Sequence, residues 1–182
     1  DSMKANGLNP DFAKAIVFPE VIRYSSIRDK LELQGLFTLY VQYGERYSDF
    51  SVGHFQMKPS FAWQLERDVL NSDCRCRFSD VIDTTDTPAA RMARVKRLNS
   101  TVWQVQYLVW FVQIMDQRYG SGFSNDLCDK LRFYAAAYNC GYHKTEEAIR
   151  EAMKRNTFHT ALFSGHTFYN YCDIAAYYLN GC

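Results

Sequence analysis

At 182 residues the chain suits a single domain large enough to bury most of its apolar surface. Its 21 Lys plus Arg nearly balance 20 Asp plus Glu, which leaves no basic field for nucleic acid and no charge run that reads as a tail. The most apolar stretch, Val102 to Met115, is interrupted by Gln104, Gln106 and Gln113; it is too short and too polar to span a bilayer and reads as a buried helix.

Asn9-Pro10 predicts a helix start, with Asn as cap and Pro at the first helical position. Phe12, Ala15 and Ile16 recur at helical spacing. Pro19 lacks an N–H and crowds the preceding turn, so it should disturb the end of this helix and leave Glu20 at a bend or junction. A second helical pattern runs from about Ile27 to Tyr47, and Tyr47 to Gly53 read as a turn or irregular crossing. Pro59-Ser60 opens a helix carrying Phe61, Trp63 and Leu65. Residues 71 to 88 are loop-like and hold Cys74 and Cys76. Pro88 begins a helix through Arg97, and Asn99 or Ser100 caps a long central helix ending near Gly120. After a turn over 120–125, Asp126 to Asn139 should be helical and stop at Gly141. Thr145 to Arg155 predicts a charged helix and Thr167 to Leu179 a final aromatic one. No period-2 pattern of useful length, no repeat and no linker interrupts this order, so the chain reads as all-α, one domain over 1–182.

The 13 Tyr, 13 Phe and 3 Trp are mostly core material, but aromatic faces with a polar edge also suit sugars. His54, His143, His159 and His166 show no metal spacing and no nucleophile partner, and no metal or cofactor is expected. Six cysteines (Cys74, Cys76, Cys128, Cys140, Cys172 and Cys182) carry no zinc-type spacing either. Their even number favours disulfides and an oxidising compartment, with the connectivity open. Cys74 and Cys76 should not bond to each other, because so tight a ring strains disulfide geometry. No signal peptide is visible, and the chain begins at Asp1 with a short polar segment, as a trimmed export product would.

Two segments carry most of the chemical information: Gly53-His54-Phe55-Gln56-Met57-Lys58-Pro59 and Ala136-Ala137-Tyr138-Asn139-Cys140-Gly141. Upstream of both stands Phe18-Pro19-Glu20. In this order the three resemble the catalytic glutamate, the G-x-x-Q-M-x-P segment and the A-Y-N-x-G segment of the soluble lytic transglycosylase and goose-type lysozyme superfamily, over residues 12 to 149. The resemblance implies a lysozyme-like fold built around a central buried helix. It also implies cleavage of peptidoglycan glycan strands between N-acetylmuramic acid and N-acetylglucosamine, in the periplasm or outside the cell. Glu20 would be the general acid and base. Gly53, Gln56, Met57, Tyr138 and Asn139 would contact or shape the substrate site.

The residues themselves agree with part of this. Val17, Phe18, Pro19, Val21 and Ile22 give Glu20 an apolar setting, which favours a protonated carboxyl. Glu32 and Glu45 also precede the G-x-x-Q segment. Glu32 lies in a continuous helical pattern and Glu45, beside Gly44 and Arg46, reads as exposed, so Glu20 is placed first. The chain departs from the family pattern at Val21, where Ser is usual, and at His54-Phe55. Two other readings stay open: a hydrolytic muramidase using Asp49 as second acid, and a lysozyme-like module that binds glycan or protein without cutting.

Overall fold

The Asn9 side chain opens the first long helix, its Oδ1 accepting from the backbone N–H of Asp11 at 2.9 Å and of Phe12 at 3.3 Å. In the computed structural model, which describes residues 2–24, 26–72, 81–123, 126–159, 168–179 and 182, with backbone only at 2 and 26–34, the chain is mostly helical. It divides into two compact units, one formed by residues 1–23 and 115–182 and the other by 24–114. Among the described residues no helix is long and apolar enough to cross a membrane.

The first unit holds α1 (Ser2–Ala5), α2 (Pro10–Arg23), α7 (Leu127–Cys140), α8 (Glu146–Ala152) and α9 (Tyr171–Tyr178). It also holds the end of α6 (Thr101–Tyr119) and a 3-10 turn over Gly120–Phe123. Helix α7 packs against α2, α8 and α9. The run Ala135-Ala136-Ala137 is buried and presents only methyl groups, which lets neighbouring helices approach. Phe12 meets Tyr134 edge to face, and Phe18 meets the ring of Tyr178 with centroids 4.8 Å apart.

Contrary to the expected bend, α2 runs through Pro19 to Arg23. Proline removes only the bond to the Ala15 carbonyl, close to the helix end. Burial of Phe12, Ile16 and Val17 keeps the remaining turns in place. The Tyr171 hydroxyl donates to the adjacent Ile16 carbonyl at 3.0 Å, a tertiary contact beside the interrupted ladder.

Helix α7 starts and stops where its caps are written. The Asp126 side chain accepts from Asp129 N–H at 2.8 Å, and Gly141 takes φ +105° beyond the last turn. The charged helix α8, capped by Thr145, ends at Ala152, short of the expected Arg155. There the chain turns into a two-stranded antiparallel pair, β1 (Asn156–Phe158) and β2 (Tyr169–Asn170). These strands are too short to show a period of two in the sequence, and they shorten the final helix as well. Asn170 then caps α9 through bonds to Cys172 and Asp173 N–H, while its Nδ2 donates to Met153 O at 2.7 Å.

Cys128 and Cys182 form a disulfide, so the expectation of disulfides holds with this pairing; Cys140 and Cys172 are free. Cys74 and Cys76 lie outside the described residues.

The second unit contains α3 (Ser26–Tyr43), α4 (Pro59–Leu70), α5 (Pro88–Leu98) and α6 up to Ile114, with α5 packed on both α3 and α4. Helix α3 stops earlier than Tyr47 because Gly44 adopts φ +83° and its N–H closes on Tyr40 O at 2.8 Å. Arg91 binds this end, donating to the carbonyls of Val41 and Gln42. In α6 every residue from Tyr107 to Phe111 is fully buried, so this part of the helix has no solvent face.

Candidate functional site

Glu20 lies in the last turn of α2 and is 5% exposed. Its apolar sequence neighbours account for this only in part: Val17 and Pro19 are buried, whereas Val21 is 41% exposed. The first unit's own packing, α2 against α7 and α9, brings further groups to this carboxyl. Arg23, three residues on and so on the same helix face, places Nη2 2.6 Å from Glu20 Oε2. The contact is an ion pair without well-directed hydrogen-bond geometry, and Oε2 is otherwise buried. The Arg23 guanidinium lies over the Phe158 ring, 4.9 Å from its centroid.

Burial pushes the Glu20 carboxyl up to about 7, against the lowering effect of the Arg23 charge. Tyr138, in the last turn of α7, and Tyr171, at the start of α9, are buried with it. Burial first, and then the Glu20 charge, lifts both phenols well above their ordinary range. Glu20, Tyr138 and Tyr171 therefore share one electrostatic neighbourhood, in which the phenols stay protonated. A carboxyl that exchanges its proton near neutrality can act as a general acid and as a general base. Asn139, next to Tyr138, is exposed.

Gly53, Gln56 and Met57 belong to the second unit. A bridge between Val52 and Met57 closes a tight turn, with backbone bonds of 2.9 and 3.2 Å. Gly53 has φ +70° and Gln56 φ +50°. A Cβ on Gly53 would stand 1.7 Å from the Gln104 amide nitrogen, so the room this glycine leaves is occupied by Gln104. The Gln104 amide braces the turn from α6, accepting from Phe55 N–H at 2.9 Å and donating to Leu98 O at 2.6 Å. The Gln56 side chain donates to Gly53 O at 2.8 Å, and Met57 is buried. The described contacts of these residues thus hold the turn itself.

Asp49 accepts from Ser60 Oγ at 2.9 Å and Ser60 N–H at 3.3 Å, and pairs with Lys58 at 3.3 Å, which ties it to the start of α4. Glu45 is exposed, and the Glu32 side chain lies outside the described residues.

Two features near Glu20 went unread in the sequence. Arg23 was detectable, since a spacing of three residues on a helix brings side chains together. Tyr171 was not, because only the packing of α9 on α2 brings it there. A third unread feature is the buried network of Glu66, Arg94, Arg97, Tyr40 and Tyr107 in the second unit. Arg94 Nε meets Glu66 Oε2 at 2.9 Å and its Nη1 meets Tyr40 OH at 3.0 Å. Arg97 Nη2 meets Glu66 Oε1 at 2.7 Å, and the Tyr107 hydroxyl also donates to Glu66. These groups satisfy one another, which marks the cluster as structural.

No family model matches the chain, and neither the curated proteins nor the solved structures contain a match to it.

Proposed function

We propose that this protein cleaves peptidoglycan glycan strands between N-acetylmuramic acid and N-acetylglucosamine as a lytic transglycosylase, with Glu20 as the single general acid and base. The observation that carries the reading is the buried Glu20 carboxyl, poised near neutrality in the neighbourhood of Tyr138 and Tyr171. The order of Glu20, the G-x-x-Q-M turn and the A-Y-N-x-G helix end supports it by resemblance.

In this reaction protonated Glu20 gives its proton to the glycosidic oxygen as the muramyl C1–O bond breaks. Positive charge develops at C1. The muramyl 6-hydroxyl then attacks C1 while the Glu20 carboxylate accepts the hydroxyl proton. The products are an N-acetylglucosamine end and a 1,6-anhydro-muramyl end, and Glu20 is again protonated. Tyr138 would orient the carboxyl and favour charge at C1 through its oxygen dipole. Gly53, Gln56, Met57 and Asn139 take their substrate-binding role from the resemblance alone. The compartment that fits this substrate is periplasmic or extracellular.

Digestion of purified sacculi, followed by mass spectrometry, tests the reading. Wild-type protein should release anhydro-muropeptides, and Glu20→Gln should lower the rate by at least about a hundredfold while remaining folded. Reducing ends one water heavier would instead identify a hydrolase. No release from either protein, with retention on sacculi, would identify a binding module.

A further inference from the structure

We propose that Arg23 is the positioning residue of this site: its guanidinium, seated over Phe158 and paired with the Glu20 carboxylate, allows one buried carboxyl to both give and take a proton. The inference rests on the glycan-cleaving reading of Glu20 for its catalytic meaning, but the coupling between the two side chains stands on geometry. Glu20 Oε2 and Arg23 Nη2 are 2.6 Å apart, and the ring of Phe158 lies 4.9 Å from the guanidinium carbon on the strand β1.

A single carboxyl serving in both steps needs its two protonation states to be close in free energy at working pH. Burial at 5% exposure by itself favours the neutral acid. Such a group would hold its proton and donate it reluctantly, because the carboxylate left behind is not stabilised by solvent and takes a proton back strongly. Among the described residues, the groups coupled electrostatically to Glu20 are Arg23 on its own helix, Tyr138 on α7 and Tyr171 on α9. Both phenols are uncharged near neutrality, so Arg23 supplies the stabilising charge in this set. Arg23 presents this charge on a planar guanidinium. The cation–π contact with Phe158 holds the planar group in place, although its side chain is 34% exposed.

The decisive measurement is a carbon-13 NMR titration of protein labelled at the glutamate side-chain carboxyls, with Glu20 assigned by the signal that disappears in Glu20→Gln. Arg23→Gln should raise the Glu20 midpoint by about one pH unit or more. Arg23→Lys should recover most of the wild-type value, and Phe158→Leu, which keeps the charge but removes its seat, should move it part of the way. The pH profile of kcat/KM on sacculi should shift in step with the NMR midpoint. An unchanged Glu20 midpoint in folded Arg23→Gln overturns the proposal. So does a midpoint that moves equally in Arg23→Gln and Arg23→Lys, because that change would follow packing and not charge. Should Arg23→Gln fail to fold, the Phe158→Leu and Arg23→Lys titrations decide the matter by the same criterion. A midpoint that follows Arg23 in a protein that releases no muropeptides upholds the coupling and removes the transglycosylase reading, so the two failures are distinguishable.

Discussion

Glu20 and Glu66 are both buried glutamates, yet their surroundings give them different work. Glu66 lies between two guanidiniums and a phenol, each within hydrogen-bond reach. Removing its charge leaves Arg94 and Arg97 buried without their counter-ion, so Glu66→Gln should cost roughly 3–5 kcal/mol in urea denaturation. Among the described residues Glu20 has one arginine and no well-directed hydrogen bond at Oε2, and its folded midpoint is lifted from 4.5 to about 7. The native state therefore holds the Glu20 proton more tightly than the unfolded chain between these values. Its contribution to stability is fully present below pH 4.5 and is lost as pH rises to 7, a change of roughly 3 kcal/mol at about 1.4 kcal/mol per pH unit. Glu20→Gln cannot ionise, so its stability relative to wild type should rise across this window and level off above it. Thermal melts at pH 4.5, 6 and 8 check the sign; a constant difference between the two proteins would refute the assigned burial. On the proposed reaction, Tyr138→Phe should slow glycan cleavage by roughly tenfold while lowering stability far less.

At the scale of elements, local chemistry was readable and long-range packing was not. The starts at Asn9-Pro10, Pro88 and Asp126 follow from capping side chains that bond to their own helix ends, and the stop at Gly141 from a glycine at positive φ, so sequence alone shows them. The continuation of α2 through Pro19 depends on the burial of its apolar face and on Tyr171, a partner 155 residues away from Ile16. The β1–β2 pair was hidden because its strands are shorter than any pattern that could reveal them. The same division runs through the site. Glu20 and Tyr138 were selected from their motifs, and both fall in one electrostatic neighbourhood. The meaning of Gly53 needed the structure, since the Gln104 that fills its space comes from a different helix. Two glycine substitutions should therefore have opposite signs. Gly53→Ala meets Gln104 at a positive φ and should destabilise by at least about 2 kcal/mol. Gly35→Ala, inside α3 with no described atom beyond its own helix backbone and chain neighbours within 4 Å of the added methyl, should stabilise by about 0.5–1 kcal/mol. Denaturation midpoints of the two variants test both signs.

At the scale of the whole molecule, the first unit is assembled from two distant parts of the chain, 1–23 and 115–182, whereas the second is continuous. A unit of the first kind closes long loops when it folds, and each closure costs conformational entropy. The Cys128–Cys182 disulfide closes a separate loop within the 115–182 part, joining the first turn of α7 to the last residue of the sequence across a separation of 54 residues. The cross-link limits the unfolded chain more than the folded one, and a loop of this length corresponds to about 4 kcal/mol in the entropic account. Native ties already linking α7 to α9 include the Arg132–Asp173 ion pair and the Cys172 thiol on Arg132 O at 3.2 Å. They hold the folded unit but do nothing for the unfolded chain, so the disulfide is not redundant with them. Burial pushes the Cys172 thiol up to about 12, which leaves it a poor nucleophile for exchange with the bonded pair. Cys182→Ala should therefore fold and lose roughly 2–4 kcal/mol, with the faster amide exchange concentrated in α7 and α9. Thiol labelling of denatured, unreduced wild-type protein should leave Cys128 and Cys182 unmodified and modify Cys140 and Cys172. Modification of Cys128 and Cys182 in protein taken from its native compartment would remove the pairing and count against the oxidising compartment expected from the even number of cysteines.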